Sequence, residues 1–168
     1  MCKPTKSHRG EKMTGPKLEE RQASNLAYIE TKGPFDKIPW QKYIERLYGW
    51  AKDQKVMPGF YPMGIYLDDP KLVPPEECRS QIAITFKGKA QERSGVKIRD
   101  LPAMKVASLS HKGPGSEFQK SYDALTEWIG KKGFELSGPS MEIYSKKPEV
   151  IEGKTILYAK IIFPVKKK

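Results

Sequence analysis

Histidine and cysteine are scarce in this chain, with two of each in 168 residues. His8 and His111 lie far apart, and no cysteine or carboxylate stands near them at ligand spacing, so no zinc site is encoded in a recognisable form. Cys2 and Cys78 show no pairing pattern. Cys78 sits in the turn-like stretch PPEECRS, and free thiols in a reducing cytoplasm are the expected state. Long apolar runs are also missing: nothing approaches the ~18 residues of a membrane span, and no secretory apolar segment precedes a cleavage site. The patterns GxSxG and GxxxxGK[ST] are absent, and GKA at 88–90 and GPGS at 113–116 are not phosphate loops. These gaps leave no ready-made nucleophile elbow, nucleotide loop or metal cluster, and no cofactor is expected.

What the chain does have in excess is positive charge, a formal +11. The basic residues are spread over the N-terminal segment, KGKAQERSGVKIR at 87–99 and KKK at 166–168. They form no basic helix and no basic strand interleaved with aromatics. Such charge favours solubility and weak, salt-dependent attraction to polyanions, so no specific nucleic-acid partner is expected.

The chain also repeats itself. Residues 26–34 read LAYIETKGP and residues 106–114 read VASLSHKGP. Each leads into an amphipathic segment carrying a tryptophan, Trp50 or Trp128. Each continues to a short strand, GIYLDDP at 64–70 or EIYSKKP at 142–148. Each closes on an apolar strand, IAITF at 82–86 or YAKIIF at 158–163. The offset drifts only from 80 at KGP, through 78 at Tyr66/Tyr144, to 77 at Phe86/Phe163. Two β-α-β-β units are therefore predicted. Half a sheet with one helix leaves its core open, so the two copies share one domain.

The fold class expected is α+β: tandem β-α-β-β units forming a mixed, mainly antiparallel sheet, with two helices on one face and a cleft between the repeats. Residues 1–25 read as a flexible basic tail. Repeat one is 26–87, the connector 88–101 and repeat two 102–165. Pro39 fits a helix start, Ser116 with Gln119 reads as a capping box, Gly133 ends the second helix, and Pro164 suits a strand end near an edge.

Chemistry is sought at the seam. In the strand Met141-Glu142-Ile143-Tyr144, alternation puts Glu142 and Tyr144 on one face. The matched positions of repeat one are Gly64 and Tyr66, so a glycine leaves room where the other copy places a carboxylate. A carboxylate among aromatic rings suits a hydrophobic cation, or general-base work if burial raises its pKa. The alternative is an exposed sheet residue paired with a lysine. Trp40, Tyr43 and Tyr61 are further candidates for an apolar ligand wall. Trp40 lies off the main helical stripe and either caps the core or faces the seam. Loop anchoring is the competing reading of Tyr61. His111, in SHKGP, reads as a loop residue at a strand end; repeat one has Thr31 there.

The stretch from Pro102 to Val165, with its HKGP turn, its tryptophan, the E-x-Y strand at Glu142 and the closing Pro-Val, resembles the GyrI-like small-molecule-binding domain. Residues 24–87 match more loosely. The resemblance implies the duplicated fold and a cleft between repeats. It also implies that Glu142, beside Tyr144 and opposite Tyr66, is the acidic recognition group for cationic aromatic molecules. The 25 residues before the first strand are too few and too rich in Gly and Pro for a helix-turn-helix, so the chain resembles stand-alone members. The expected partner is a hydrophobic or cationic small molecule, for a cytoplasmic monomer or dimer with no membrane contact. Two other functions remain open. One is hydrolysis of small reactive electrophiles, with Glu142, Tyr66 and Tyr144 as catalytic groups. The other is modulation of a topoisomerase or similar nucleic-acid machinery through a protein contact.

Overall fold

The computed structural model describes residues 15–168. The strands are β1 (Lys17–Arg21), β2 (Ser24–Lys32), β3 (Met57–Pro58), β4 (Met63–Tyr66), β5 (Arg79–Lys87), β6 (Lys97–Leu101), β7 (Met104–Pro114), β8 (Phe134–Leu136), β9 (Ser140–Ile151) and β10 (Lys154–Lys167). The helices are α1 (Trp40–Gln54) and α2 (Phe118–Lys131). They form one sheet in the order β1-β7-β10-β9-β4-β5-β2-β6, with β3 on β5 and β8 on β10. Every pairing between these strands is antiparallel. The two repeats meet where β4 pairs with β9.

Both helices pack on one face. From α1, Leu47, Trp50 and Ala51 settle on Ala27, Ile29, Ile82, Ile84 and Phe86. From α2, Leu125 and Ile129 settle on Ala107, Ile161, Phe163 and Val165. Leu47 and Leu125 are matched positions and both are fully buried. Each contributes roughly 1.5–3 kcal/mol of transfer free energy. On the opposite face, Leu26, Met63, Ile65, Ala83, Leu101, Val106, Met141 and Ile162 form a third cluster, drawn from both repeats. Shared burial is what makes the halves one domain.

The flexible tail and the plain connector need correction. Residues 17–21 are a strand paired with β7, and residues 97–101 are a strand paired with β2. Each therefore precedes one repeat and pairs with the first strand of the other. Residues 17–34 and 97–114 align without a gap at an offset of 80, including Ala23/Ala103 and Ala27/Ala107. The repeat begins about nine residues earlier than its most visible landmarks. The part of the expected tail at residues 1–14 lies outside the described residues.

This exchange bends the sheet. Six strand spacings separate β1 from β2, and six separate β6 from β7. Flat, that is about 29 Å. Yet Arg21 to Ser24 and Leu101 to Met104 are three residue steps each, spanning at most about 11 Å. The ends of the sheet must curl toward each other, which closes the third cluster.

Local signals fared unevenly. Pro39 stands immediately before α1, and Gly133 follows α2 with φ of 86°. The capping box at Ser116 does not form: Gly115–Glu117 winds as a 3-10 turn, and α2 starts at Phe118 with no side-chain cap. Pro164 is not at an edge, because β10 is flanked on both sides. Its carbonyl accepts from Ser137 N at 2.8 Å, so its nitrogen faces the same side, at the gap between β8 and β9. No ladder donor is missed there. His111 is a buried strand residue rather than a loop residue.

Candidate functional site

The site is set by strand register. Gly64 of β4 pairs with Glu142 of β9, and Tyr66 pairs with Ser140. Alternation then puts Gly64, Tyr66, Glu142 and Tyr144 on the helix face, with Met63, Ile65, Met141 and Ile143 against the third cluster. Glu142 is half-buried and held by tyrosines. Tyr122 Oη, from α2, donates to Glu142 Oε2 at 2.5 Å. Tyr144 Oη donates to Oε1 at 2.8 Å, and Tyr66 Oη approaches the same oxygen at 3.5 Å. Tyr66 and Tyr144 also share a hydrogen bond of 2.5 Å.

Burial pushes the Glu142 carboxyl above its ordinary value, and the three hydroxyls, followed by the more distant His111, pull it back only in part. Burial, followed by neighbouring negative charge, pushes all three tyrosines upward. They therefore remain protonated donors. Among the described residues, no Lys, Arg or His side chain forms an ion pair with Glu142. The alternative of an exposed glutamate paired with a lysine does not hold: the carboxylate is half-buried and forms no ion pair among the described residues.

Gly64 makes room for this arrangement. A Cβ there would lie 2.8 Å from Trp40 Cη2, 2.9 Å from Tyr66 Oη and 3.1 Å from Tyr144 Oη. Trp40, the first residue of α1, meets the Tyr144 ring edge-on at 5.0 Å. It faces the seam. Phe35 meets Tyr66 at 4.8 Å, and Tyr122 meets Phe163 at 5.7 Å.

These groups lie along a cleft of about 1360 Å³ between the repeats, open to solvent. Trp40, Tyr61, Tyr66, Glu142 and Tyr144 all line it. Tyr43 does not. It packs into the first core cluster, with Arg46 over its ring at 5.7 Å, so it contributes no wall. His111 stands behind the wall: its ring stacks on Phe118 at 4.1 Å and its Nδ1 bonds Ser121 Oγ at 2.8 Å. Phe118 lines the cleft and His111 does not. Cys78 is buried and free, with Sγ 3.6 Å from Val73 O.

Tyr122 is not among the site residues expected from the sequence, because its place on the apolar stripe of α2, with Leu125 and Ile129, reads as core. A signal was present. The matched residue of repeat one is Ile44, and a hydroxyl placed in a buried stripe needs a polar partner. Among the described residues, no group of three His, Cys, Asp or Glu side chains is arranged to hold a metal, and no helix is long and apolar enough to cross a membrane.

Comparison with known proteins agrees with this geometry. A protein of Erwinia billingiae named DNA gyrase inhibitor is 26% identical over 132 residues, covering 76% of this chain and 83% of its own. The solved C-terminal domain of EcmrR matches with a TM-score of 0.75 at 18% identity, over 93% of this chain and 99% of its own. A hydrolase from Listeria innocua matches with a TM-score of 0.66 at 15% identity, over 90% and 92%. SAV2435, solved bound to tetraphenylphosphonium, matches with a TM-score of 0.55 at 16% identity, over 91% and 94%. At these identities the structures share the fold with this chain. The model of the GyrI-like small molecule binding domain matches residues 14–166, nearly the whole chain. With its duplicated sheet and its cleft between the repeats, the chain belongs to the GyrI-like family.

Proposed function

We propose that the cleft binds hydrophobic cations, with Glu142 as the charge partner and Trp40, Tyr66 and Tyr144 as the surrounding rings. One observation carries this reading: a half-buried carboxylate that accepts from Tyr122 and Tyr144, the latter hydrogen-bonded to Tyr66, and that forms no ion pair among the described residues. The hydroxyls keep the anion in place, and burial leaves it short of counter-charge. A cation with an apolar surface meets both needs, because it carries the charge and gives up little hydration. The tetraphenylphosphonium held by SAV2435 is a molecule of that kind. A free, buried Cys78 fits a reducing cytoplasm.

A second reading, raised by the likeness to the Listeria hydrolase, is hydrolysis with Glu142 as the base. Its raised pKa favours that reading. The hydrogen bonds weigh against it, since both carboxylate oxygens already accept from tyrosines. That arrangement stabilises charge and lowers basicity.

The test is a titration with tetraphenylphosphonium and with a neutral triaryl analogue, using the unaltered protein and Glu142→Gln. The cation should weaken by about 10- to 150-fold in the variant, the loss of one charge-assisted contact of about 1.5–3 kcal/mol. The neutral analogue should respond little. Equal cation affinity in both proteins removes Glu142 from recognition. Release of product from reactive esters or epoxides, lost in Glu142→Gln, would make the hydrolase reading the better one.

A further inference from the structure

We infer that the cleft has a second subsite at its mouth, built on Phe60, which takes an apolar arm of the same cationic ligand. This rests on the binding role proposed for Glu142 and extends it to the class of ligand: a cation carrying a long or second apolar group, rather than a compact one.

Phe60 is 94% exposed, and Tyr61 beside it is half exposed. Both line the cleft that holds Glu142, so the mouth and floor are one continuous space. An exposed ring on a loose loop would mean little, but this loop is fixed at both ends. On one side β3 pairs with β5, and Gly59 N donates to Thr85 O at 2.8 Å. Tyr48 Oη donates to Gly59 O at 3.3 Å. The fit is close: a Cβ at Gly59 would lie 2.3 Å from Thr85 Oγ1, so a side chain there would force the Thr85 hydroxyl to move. On the other side Pro62 O accepts from Tyr144 N at 3.0 Å, so the loop hangs on the backbone of the residue that holds Glu142. Only Phe60 and Tyr61 stand between these anchors, their rings 6.4 Å apart and tilted by 54°. A phenyl ring held in water gains on being covered.

Size points the same way. The cleft, at about 1360 Å³, exceeds the ~300–1000 Å³ of most small-molecule sites. A compact cation seated at Glu142 leaves the mouth unfilled. A ligand with a long apolar arm covers both.

The experiment compares benzyltrimethylammonium with decyltriphenylphosphonium on three proteins: unaltered, Phe60→Ala and Glu142→Gln. In Phe60→Ala the long cation should bind at least ten-fold more weakly and the small one within two-fold of the unaltered protein, with Phe60→Leu recovering part of the loss. Since Phe60 touches solvent on most of its surface, the fold survives, and circular dichroism checks it. If both cations weaken in Glu142→Gln and neither changes in Phe60→Ala, the mouth subsite is wrong and the binding role of Glu142 stands. If Phe60→Ala weakens both cations equally, Phe60 is part of the general wall and the subsite again falls. If neither cation binds the unaltered protein, the binding role of Glu142 fails and takes the subsite with it.

Discussion

Gly64 and Glu142 lie directly opposite each other across the seam between the repeats, and the missing side chain of one makes space for the Trp40 ring and the Tyr66 and Tyr144 hydroxyls gathered beside the other. They are matched positions of a duplicated unit, 78 residues apart. The site is asymmetric although the fold is nearly symmetric. A single charge stands on the pseudo-twofold seam, with a tyrosine from each copy beside it.

Gly64→Ala tests that relationship. Its Cβ would press on Trp40, Tyr66 and Tyr144. Overpacking of this kind costs about 1–3 kcal/mol. The substitution should lower the unfolding midpoint and weaken tetraphenylphosphonium, because the three rings must shift from Glu142. Unchanged midpoint and affinity would show that the seam has room to spare.

Glu142→Gln should leave the unliganded fold at least as stable at pH 7. The sign follows from the raised pKa of Glu142. The folded state binds this proton more tightly than the unfolded chain does, so stability falls as pH rises from the ordinary glutamate value through the raised one. Above that window the ionised, unpaired carboxylate burdens the fold, and the amide removes the burden. Denaturant unfolding at pH 7 and pH 4 measures it, and the advantage of the variant should shrink at the lower pH.

Cation binding should show the opposite dependence. The ionised form is the one that binds, so affinity falls as pH drops through the pKa of Glu142, beginning above the range of an ordinary glutamate. Isothermal titration with tetraphenylphosphonium between pH 4 and 8 should give a sloping curve for the unaltered protein. Glu142→Gln should give a flat one.

Tyr122→Phe removes the single donor to Glu142 Oε2 seen among the described residues. The carboxyl pKa should rise further, moving the loss of cation affinity to higher pH while the ring still packs on Phe163. A charge-assisted bond of this kind is worth about 1.5–3 kcal/mol. A pH profile matching the unaltered protein would separate Tyr122 from the site.

Deleting residues 1–21 should destabilise repeat two although it removes sequence ahead of repeat one. β1 covers the edge of β7, and Glu19 accepts from Ser108 at 2.5 Å and pairs with Lys160 at 2.8 Å. A loss of about 2 kcal/mol corresponds to a fall of about 4–8 °C in midpoint for a chain of this size. Hydrogen exchange should quicken in β7 before β2.

Duplication, two amphipathic helices with tryptophans at matched positions, and the matching of a glycine with a glutamate were all legible in the amino-acid sequence. Each is a local pattern or a constant offset, and neither requires knowing what lies across the sheet. Alternation along Met141–Tyr144 already put Glu142 and Tyr144 on one face. The tertiary structure decided the rest. Residues 17–21 carry no hydrophobic run, so their pairing with β7 depends on a partner about 90 residues away. Tyr43 and Tyr122 both sit in amphipathic helices, and only the docking of each helix on the sheet sends one into the core and the other to Glu142. A period of 3.6 residues tells which side of a helix is buried. It does not tell which buried residue ends beside a charge, because that is fixed by contacts between elements distant in the chain.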